Sequence, residues 1–108
     1  MIYLTGFMGS GKTTVGHILA GMFKVPFIDM DATIATQTGS RIADIFTYAG
    51  EKAFRIIEAD VLSQIATGGD AVVATGGGLP VDPANRALMK ASGVIVYLRT
   101  GLEVLKAR

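Results

Sequence analysis

The chain has 108 residues, half of them hydrophobic, with ten basic and nine acidic side chains and a formal net charge of +1. That length fits one domain at the short end of the usual range, the balanced charge argues against bulk nucleic-acid or membrane-surface binding, and no apolar run approaches a membrane span. The absence of cysteine excludes disulfides, a thiol nucleophile and cysteine metal sites, and it suits a cytoplasmic protein.

Ile2–Thr5 reads as a first strand that runs straight into Gly6-Phe7-Met8-Gly9-Ser10-Gly11-Lys12-Thr13, a complete G-x-x-x-x-G-K-[ST] phosphate loop. Without a basic stretch before it, this start reads as strand one of a fold and not as a signal peptide. A helix follows the loop, with Val15, Ile18, Leu19 and Met22 expected on its buried face and His17 on the opposite, solvated face. Strand, loop and helix in that order separate a working phosphate loop from a chance match. Glycines let backbone N–H groups close on phosphate oxygens, and the helix N-terminus favours an anion. Gly9, Ser10, Gly11, Lys12, Thr13 and Thr14 are therefore the candidate nucleotide contacts. Lys12 would bridge the β- and γ-phosphates and the Thr13 hydroxyl would bind Mg²⁺.

Three more strands are expected at Pro26–Asp29, Ala71–Thr75 and Val94–Leu98. Each is short, apolar and separated from the next by helical pattern, which argues for βαβ units and a parallel sheet. Residues 33–66 form a helical excursion between strands two and three. Ile42, Ile45, Phe46 and Ala49 mark one helix that ends at Gly50, and Phe54, Ile57, Val61, Leu62 and Ile65 mark a second that stops at Gly68-Gly69. Asp82-Pro83 opens a further helix, with Asp as N-cap and Pro at the first helical position. Thr100-Gly101-Leu102-Glu103 reads as the capping box of a last helix. That helix carries no stop signal, so the chain reads as incomplete at its C-terminus.

Four positions carry further chemistry. Asp29 and Asp31 follow strand two, where open α/β sheets bind ligands; they suit a Mg²⁺ shell and a base for an attacking hydroxyl, while Asp31 equally suits a plain helix N-cap. By spacing alone, Arg55 reads as a surface ion pair with Glu51 or Glu58; the alternative is a fork for a substrate carboxylate. Thr75-Gly76-Gly77-Gly78 offers either bare backbone to a small polar ligand or a flexible turn.

Together with Thr14-Val15-Gly16, Asp29-Met30-Asp31, Arg41-Ile42-Ala43-Asp44-Ile45-Phe46, Phe54-Arg55-Ile56-Ile57-Glu58 and Thr75–Gly78, the phosphate loop closely resembles the shikimate kinase family, in its order and spacing and over essentially the whole chain. The resemblance implies a three-layer α/β P-loop kinase fold of the nucleoside monophosphate kinase type, with a parallel sheet in order 2-3-1-4. It implies ATP- and Mg²⁺-dependent phosphorylation of the shikimate 3-hydroxyl by a cytoplasmic, monomeric transferase with no nucleic-acid or membrane partner. Lys12 would hold phosphate; Thr13 and Asp29 would hold Mg²⁺, Asp29 through water. Asp31 would contact the ring hydroxyls and act as base. Arg55 would bind the substrate carboxylate, with Gly76, Gly77 and Gly78 as backbone lining and Ile42, Phe46 and Phe54 as an apolar wall. Glu58 would steady Arg55, and Arg108 would lie near the adenine. Residues 33–66 would be the shikimate-binding part. Two rival readings are another small-metabolite kinase, such as a gluconate kinase, and a non-catalytic nucleotide-binding module.

The family extends well beyond Arg108, into a lid, a fifth strand and a last helix. The expectation is therefore a fifth strand missing, an unpaired sheet edge and little turnover, because lids exclude water and complete the catalytic set. A coupled ADP-release assay on the 108 residues should read near background; turnover at the rate of a full-length family member would overturn that expectation.

Overall fold

A computed structural model describes residues 1–6, 11–76, 78–100 and 103–107, with side chains through residue 98. In chain order the elements are β1 (Ile2–Gly6), α1 (Lys12–Phe23), β2 (Phe27–Asp29), α2 (Met30–Thr38), α3 (Ile42–Ala49), α4 (Glu51–Ala66), β3 (Val72–Ala74), a 3₁₀ turn (Leu79–Val81), α5 (Pro83–Ser92), β4 (Val94–Thr100) and β5 (Glu103–Ala107).

The sheet runs β2-β3-β1-β4-β5, and its first four strands are parallel. This is the expected 2-3-1-4 core. Ile2 pairs with both Val72 and Val94, and Phe27 also pairs with Val72, so the amino ends of the four strands are level. Successive residues face opposite sides of a strand, and β1 shows the consequence. Tyr3 enters a core with Val73, Ile95 and residues of α2 to α5, whereas Leu4 enters a smaller core with Val72 and Ala20 of α1. Helices on both faces give the three layers. Among the described residues no helix is long and apolar enough to cross a membrane.

Several boundaries follow local chemistry as expected. Gly50, with φ 88°, ends α3 in a backbone region that favours glycine, and its N–H bonds to the Phe46 carbonyl. Asp82 caps α5 by accepting from the Ala84 amide, with Pro83 behind it. The two helices of the excursion fall where the apolar spacing puts them.

Three expectations need correction. First, α1 turns only half of the expected stripe inward: Val15 and Leu19 pack against the smaller core, but Ile18 and Met22 do not. Ile18 and Met22 are 58% and 69% exposed, while Gly16 and Ala20 are buried. Small residues let α1 approach the sheet closely, and that close approach, not the largest side chains, sets its rotation. His17 is exposed but not merely solvated, since its ring lies 4.3 Å from that of Phe27. Second, α2 begins at Met30, directly after β2, so the helical segment opens before residue 33. Its N-cap is Asp29, which accepts from the amides of Asp31 and Ala32. Third, the last helix expected from Thr100 is replaced by β5, which pairs antiparallel with β4 in the register Tyr97↔Leu105. A short helix without a packed face is marginal, whereas a strand satisfies the N–H and C=O groups along the edge of β4. The sheet thus has a fifth strand where none was expected, and its β4 edge is paired.

A Cβ built on Gly16 would lie 2.1 Å from the Phe27 ring, whereas one on Gly21 meets nothing within 4 Å. Gly16→Ala should therefore destabilise by about 1–3 kcal/mol through overpacking. Gly21→Ala should stabilise by up to about 1 kcal/mol through helix propensity. Thermal unfolding followed by circular dichroism separates the two; a Gly16→Ala midpoint at or above wild type would refute the close-approach account.

Candidate active site

The carboxyl ends of β1, β2 and β3 open on one edge of the sheet, and each is followed by a candidate motif. After β1, Gly6 (φ 144°) turns the chain away from the strand, and Gly11 (φ 88°) turns it into α1. Both angles favour glycine because a Cβ would clash there. No side chain caps α1, so its first N–H groups are available to an anion. Lys12 is half-buried and donates from Nζ to the Gly6 carbonyl at 2.7 Å. Burial pulls its pKa down, against the opposing pull of Asp31 and Asp29. Thr13 and Thr14 are exposed on the first turn of the same helix. Gly9, Ser10, Gly77 and Arg108 lie outside the described residues.

The capping reading fits Asp29, not Asp31. Asp29 Oδ1 accepts from two amides of α2 at 3.0 and 3.3 Å. Asp31, in the first turn of α2, points its carboxylate toward Gly76, where a built Cβ would lie 3.3 Å from Oδ1. Burial raises the Asp31 pKa, Asp29 raises it further, and Lys12 and Arg55 oppose both.

On α4, Arg55 makes both of the ion pairs its spacing allows: Nη1 donates to Glu58 Oε1 at 3.0 Å, and Nε lies 3.7 Å from Glu51 Oε1. The two partners differ in kind. Glu51 is exposed, whereas the Glu58 side chain is 3% exposed. Burial raises the Glu58 pKa, the hydrogen bond and charge of Arg55 pull it down, and Asp31 adds a further upward push. The Arg55 guanidinium lies 5.3 Å from the centre of the Phe54 ring and 5.9 Å from that of Phe46. At these distances it gains cation–π attraction.

After β3, Thr75 is buried, and both its amide and its hydroxyl bond to the Leu4 carbonyl, at 2.9 and 3.0 Å. This double bond holds the glycine turn against β1. The turn continues into the 3₁₀ segment, which the buried Asn85 steadies by donating to the Leu79 carbonyl at 3.0 Å. Sequence reasoning named Thr75 only as part of a motif and missed Asn85. A polar residue next to a buried strand end was the available signal for Thr75, whereas the partner of Asn85 is visible only in three dimensions.

Asp31, Ile42, Phe46, Phe54, Arg55, Glu58, Gly76 and Gly78 line one cavity of about 150 Å³. Seven of these eight were expected as substrate contacts or wall, and the eighth, Glu58, was expected beside Arg55. A larger groove of about 510 Å³ runs outside β2 and α2. Its one charged group is Asp29, already used as a cap, so the smaller cavity carries the chemistry. It offers a cationic fork for a carboxylate, an aromatic wall, and a carboxylate that interacts with the phosphate-loop lysine. For Mg²⁺, Thr13 could supply a hydroxyl, and Asp29 could supply Oδ2, since both capping bonds are to Oδ1. Two oxygen donors suit an ion that keeps most of its ligands as water and substrate phosphate.

The Glu58 pKa is raised above 4.5 and that of Asp31 above 3.8, so folding takes up protons at these groups. Their stabilising share is full below the ordinary carboxyl range and is lost as pH rises through the raised values. The melting temperature of the wild type should therefore fall relative to Glu58→Gln as pH rises from 4.5 toward neutrality; parallel pH profiles would show that the Glu58 pKa is not raised.

The shikimate kinase family model matches residues 8–108. A shikimate kinase from Salinibacter ruber is 45% identical over 107 residues, which cover 99% of this chain and 52% of that protein. The solved shikimate kinase of Acinetobacter baumannii, in complex with shikimate, superposes with a TM-score of 0.88 at 44% identity, covering 92% of this chain and 55% of that one. A gluconokinase from Sinorhizobium meliloti reaches a TM-score of 0.53 at 22% identity, covering 89% of this chain and 55% of that one, and shares the fold alone. The chain spans about half the length of the relatives it matches.

Proposed function

The chain belongs to the shikimate kinase family, and from that premise we propose that it carries the phosphate-binding and shikimate-binding parts of an enzyme that transfers the γ-phosphoryl group of ATP to the 3-hydroxyl of shikimate. The observation that carries this reading is the cavity in which Arg55, Asp31 and the glycine turn meet, with the charge of Asp31 acting on Lys12. A carboxylate anchor, a base and a phosphate holder are what a kinase for a hydroxy acid needs.

Arg55 grips the substrate carboxylate with the part of its fork that Glu58 and Glu51 leave open. Phe46 and Phe54 pack against the ring, and the backbone of Gly76 and Gly78 lines its polar edge, with Gly77 assigned there by its place in the motif. This orients the acceptor hydroxyl toward Asp31. A carboxylate with a raised pKa is a better-matched proton acceptor near neutral pH than an ordinary one. At the donor end, Lys12 exchanges its bond to the Gly6 carbonyl for phosphate oxygens, and the N–H groups of Lys12, Thr13 and Thr14 at the start of α1 face the same phosphates, with Gly9, Ser10 and Gly11 assigned to them by their place in the motif. By the family resemblance, Arg108 would contact the adenine. Thr13 and Asp29 would hold Mg²⁺, which when bound neutralises phosphate charge. Because phosphoryl transfer asks little covalent chemistry of the protein, positioning and charge stabilisation account for most of the rate. Residues 33–66, together with Asp31, form the acceptor part within a single domain. The partners are then two small molecules, shikimate and ATP, acting on a cytoplasmic monomer.

Calorimetry on this chain with Mg²⁺ and ADP present tests the assignment. Shikimate should give a binding signal and gluconate none. Arg55→Ala should abolish the shikimate signal while nucleotide binding persists. Nucleotide binding without shikimate binding in the wild type would point to a non-catalytic module; gluconate binding would point to a different acceptor; shikimate binding that survives Arg55→Ala would remove Arg55 from its role.

A further inference from the structure

Gly78 has φ −88° and ψ −15°, an ordinary right-handed conformation open to every residue type. The backbone therefore does not require glycine there. The surroundings do: a Cβ built on Gly78 would lie 2.5 Å from Arg55 Nη2, 2.6 Å from Nη1 and 2.7 Å from Cζ. Such a contact is cheap when the neighbour is a free side-chain end, but this end is held. Glu58 binds Nη1 at 3.0 Å, Glu51 stands 3.7 Å from Nε, and the Phe54 ring lies beneath the guanidinium. To clear a methyl group the fork has to move by about 1 Å, a misplacement of the size that costs about 10²-fold at a positioned site.

We propose that Gly78 is a positioning residue: its missing Cβ leaves the space in which the Arg55 guanidinium is held between Glu58 and the glycine turn, and so sets where a carboxylate ligand can be gripped. The consequence for ligands rests on the assignment of Arg55 as the carboxylate anchor; the positioning itself does not. The neighbouring glycine differs, because a Cβ on Gly76 would approach Asp31 and Glu58 at 3.3 and 3.6 Å and leave Arg55 alone.

The test combines Gly78→Ala with Arg55→Lys, whose smaller head clears the added methyl. Gly69→Ala, where a Cβ meets nothing within 4 Å, is the control. By calorimetry with shikimate, Gly78→Ala should weaken binding by about 10- to 10²-fold, the worth of hydrogen bonds to a charged group, with affinity for Mg²⁺ and ADP unchanged. In the Arg55→Lys background the same change should cost less than about threefold, the non-additivity expected of residues in contact. Equal losses in both backgrounds, or no loss in either, would overturn the proposal. A second measurement needs no ligand: the Arg55 side-chain N–H resonances should shift in Gly78→Ala and stay in place in Gly69→Ala. If the wild type binds no shikimate but these resonances move, the functional assignment fails and the positioning stands. If they do not move, the positioning fails whatever binds.

Discussion

β3 is the strand on which the site depends. It lies between β2 and β1, parallel to both, and all three of its residues are buried. Parallel pairing places three strand ends on one edge, so segments separated by dozens of residues emerge into the same cleft. Thr75 then fixes the exit of β3 to the exit of β1 through two bonds to one carbonyl oxygen. Without that attachment the glycine turn would be free to swing away from both β1 and α4. Asn85 secures the far end of the same turn, which is therefore held at both ends.

The electrostatics join two halves that the topology brings close. Glu58 is a buried carboxylate, a costly group unless paired, and Arg55 offsets that cost. The same pairing orients the guanidinium, so an expensive buried charge becomes a device for aiming a cation. Among the described residues Asp31 has no such partner in direct contact. Burial and Asp29 hold its pKa up while Lys12 and Arg55 pull it down. Its charge acts in turn on Lys12 at the phosphate loop and on Glu58 at the other end of the cavity. Proton occupancy at Asp31 is thus sensitive to whatever binds at either end. Phosphate near Lys12 or a carboxylate on Arg55 would each neutralise a cation that favours the ionised form, and so raise the proton affinity of Asp31 as the ligands assemble.

Much of the fold was legible in the residues. The parallel sheet, the helical excursion and the Asp82-Pro83 cap follow from patterns that act over a few residues, the strand order follows from the family resemblance, and the structure reproduces them. The failures share a cause. The α1 stripe was read from hydrophobicity, but Gly16 and Ala20 allow a closer approach to Phe27 than the larger residues would, and shape outweighed side-chain size. Asp29 took the cap that Asp31 could have filled because the helix starts directly after β2. The segment after Thr100 carries a capping box, yet the unpaired edge of β4 offers a ladder that a short helix cannot match.

The sequence by itself determined the classes of chemistry available: a phosphate loop, an acidic pair, an arginine among aromatics and a glycine run, in an order that pointed to one family. Those are local properties of residue type and spacing, and they need no third dimension. Only the tertiary structure decided how Arg55 is used. In one dimension it is an exposed ion pair with two possible partners. Folded, it has both: one pair is solvent-exposed and the other reaches a buried glutamate beneath a glycine that leaves room for nothing larger. Burial and close approach depend on what the rest of the chain places nearby, and for Arg55 the decisive neighbour lies 23 residues away at Gly78.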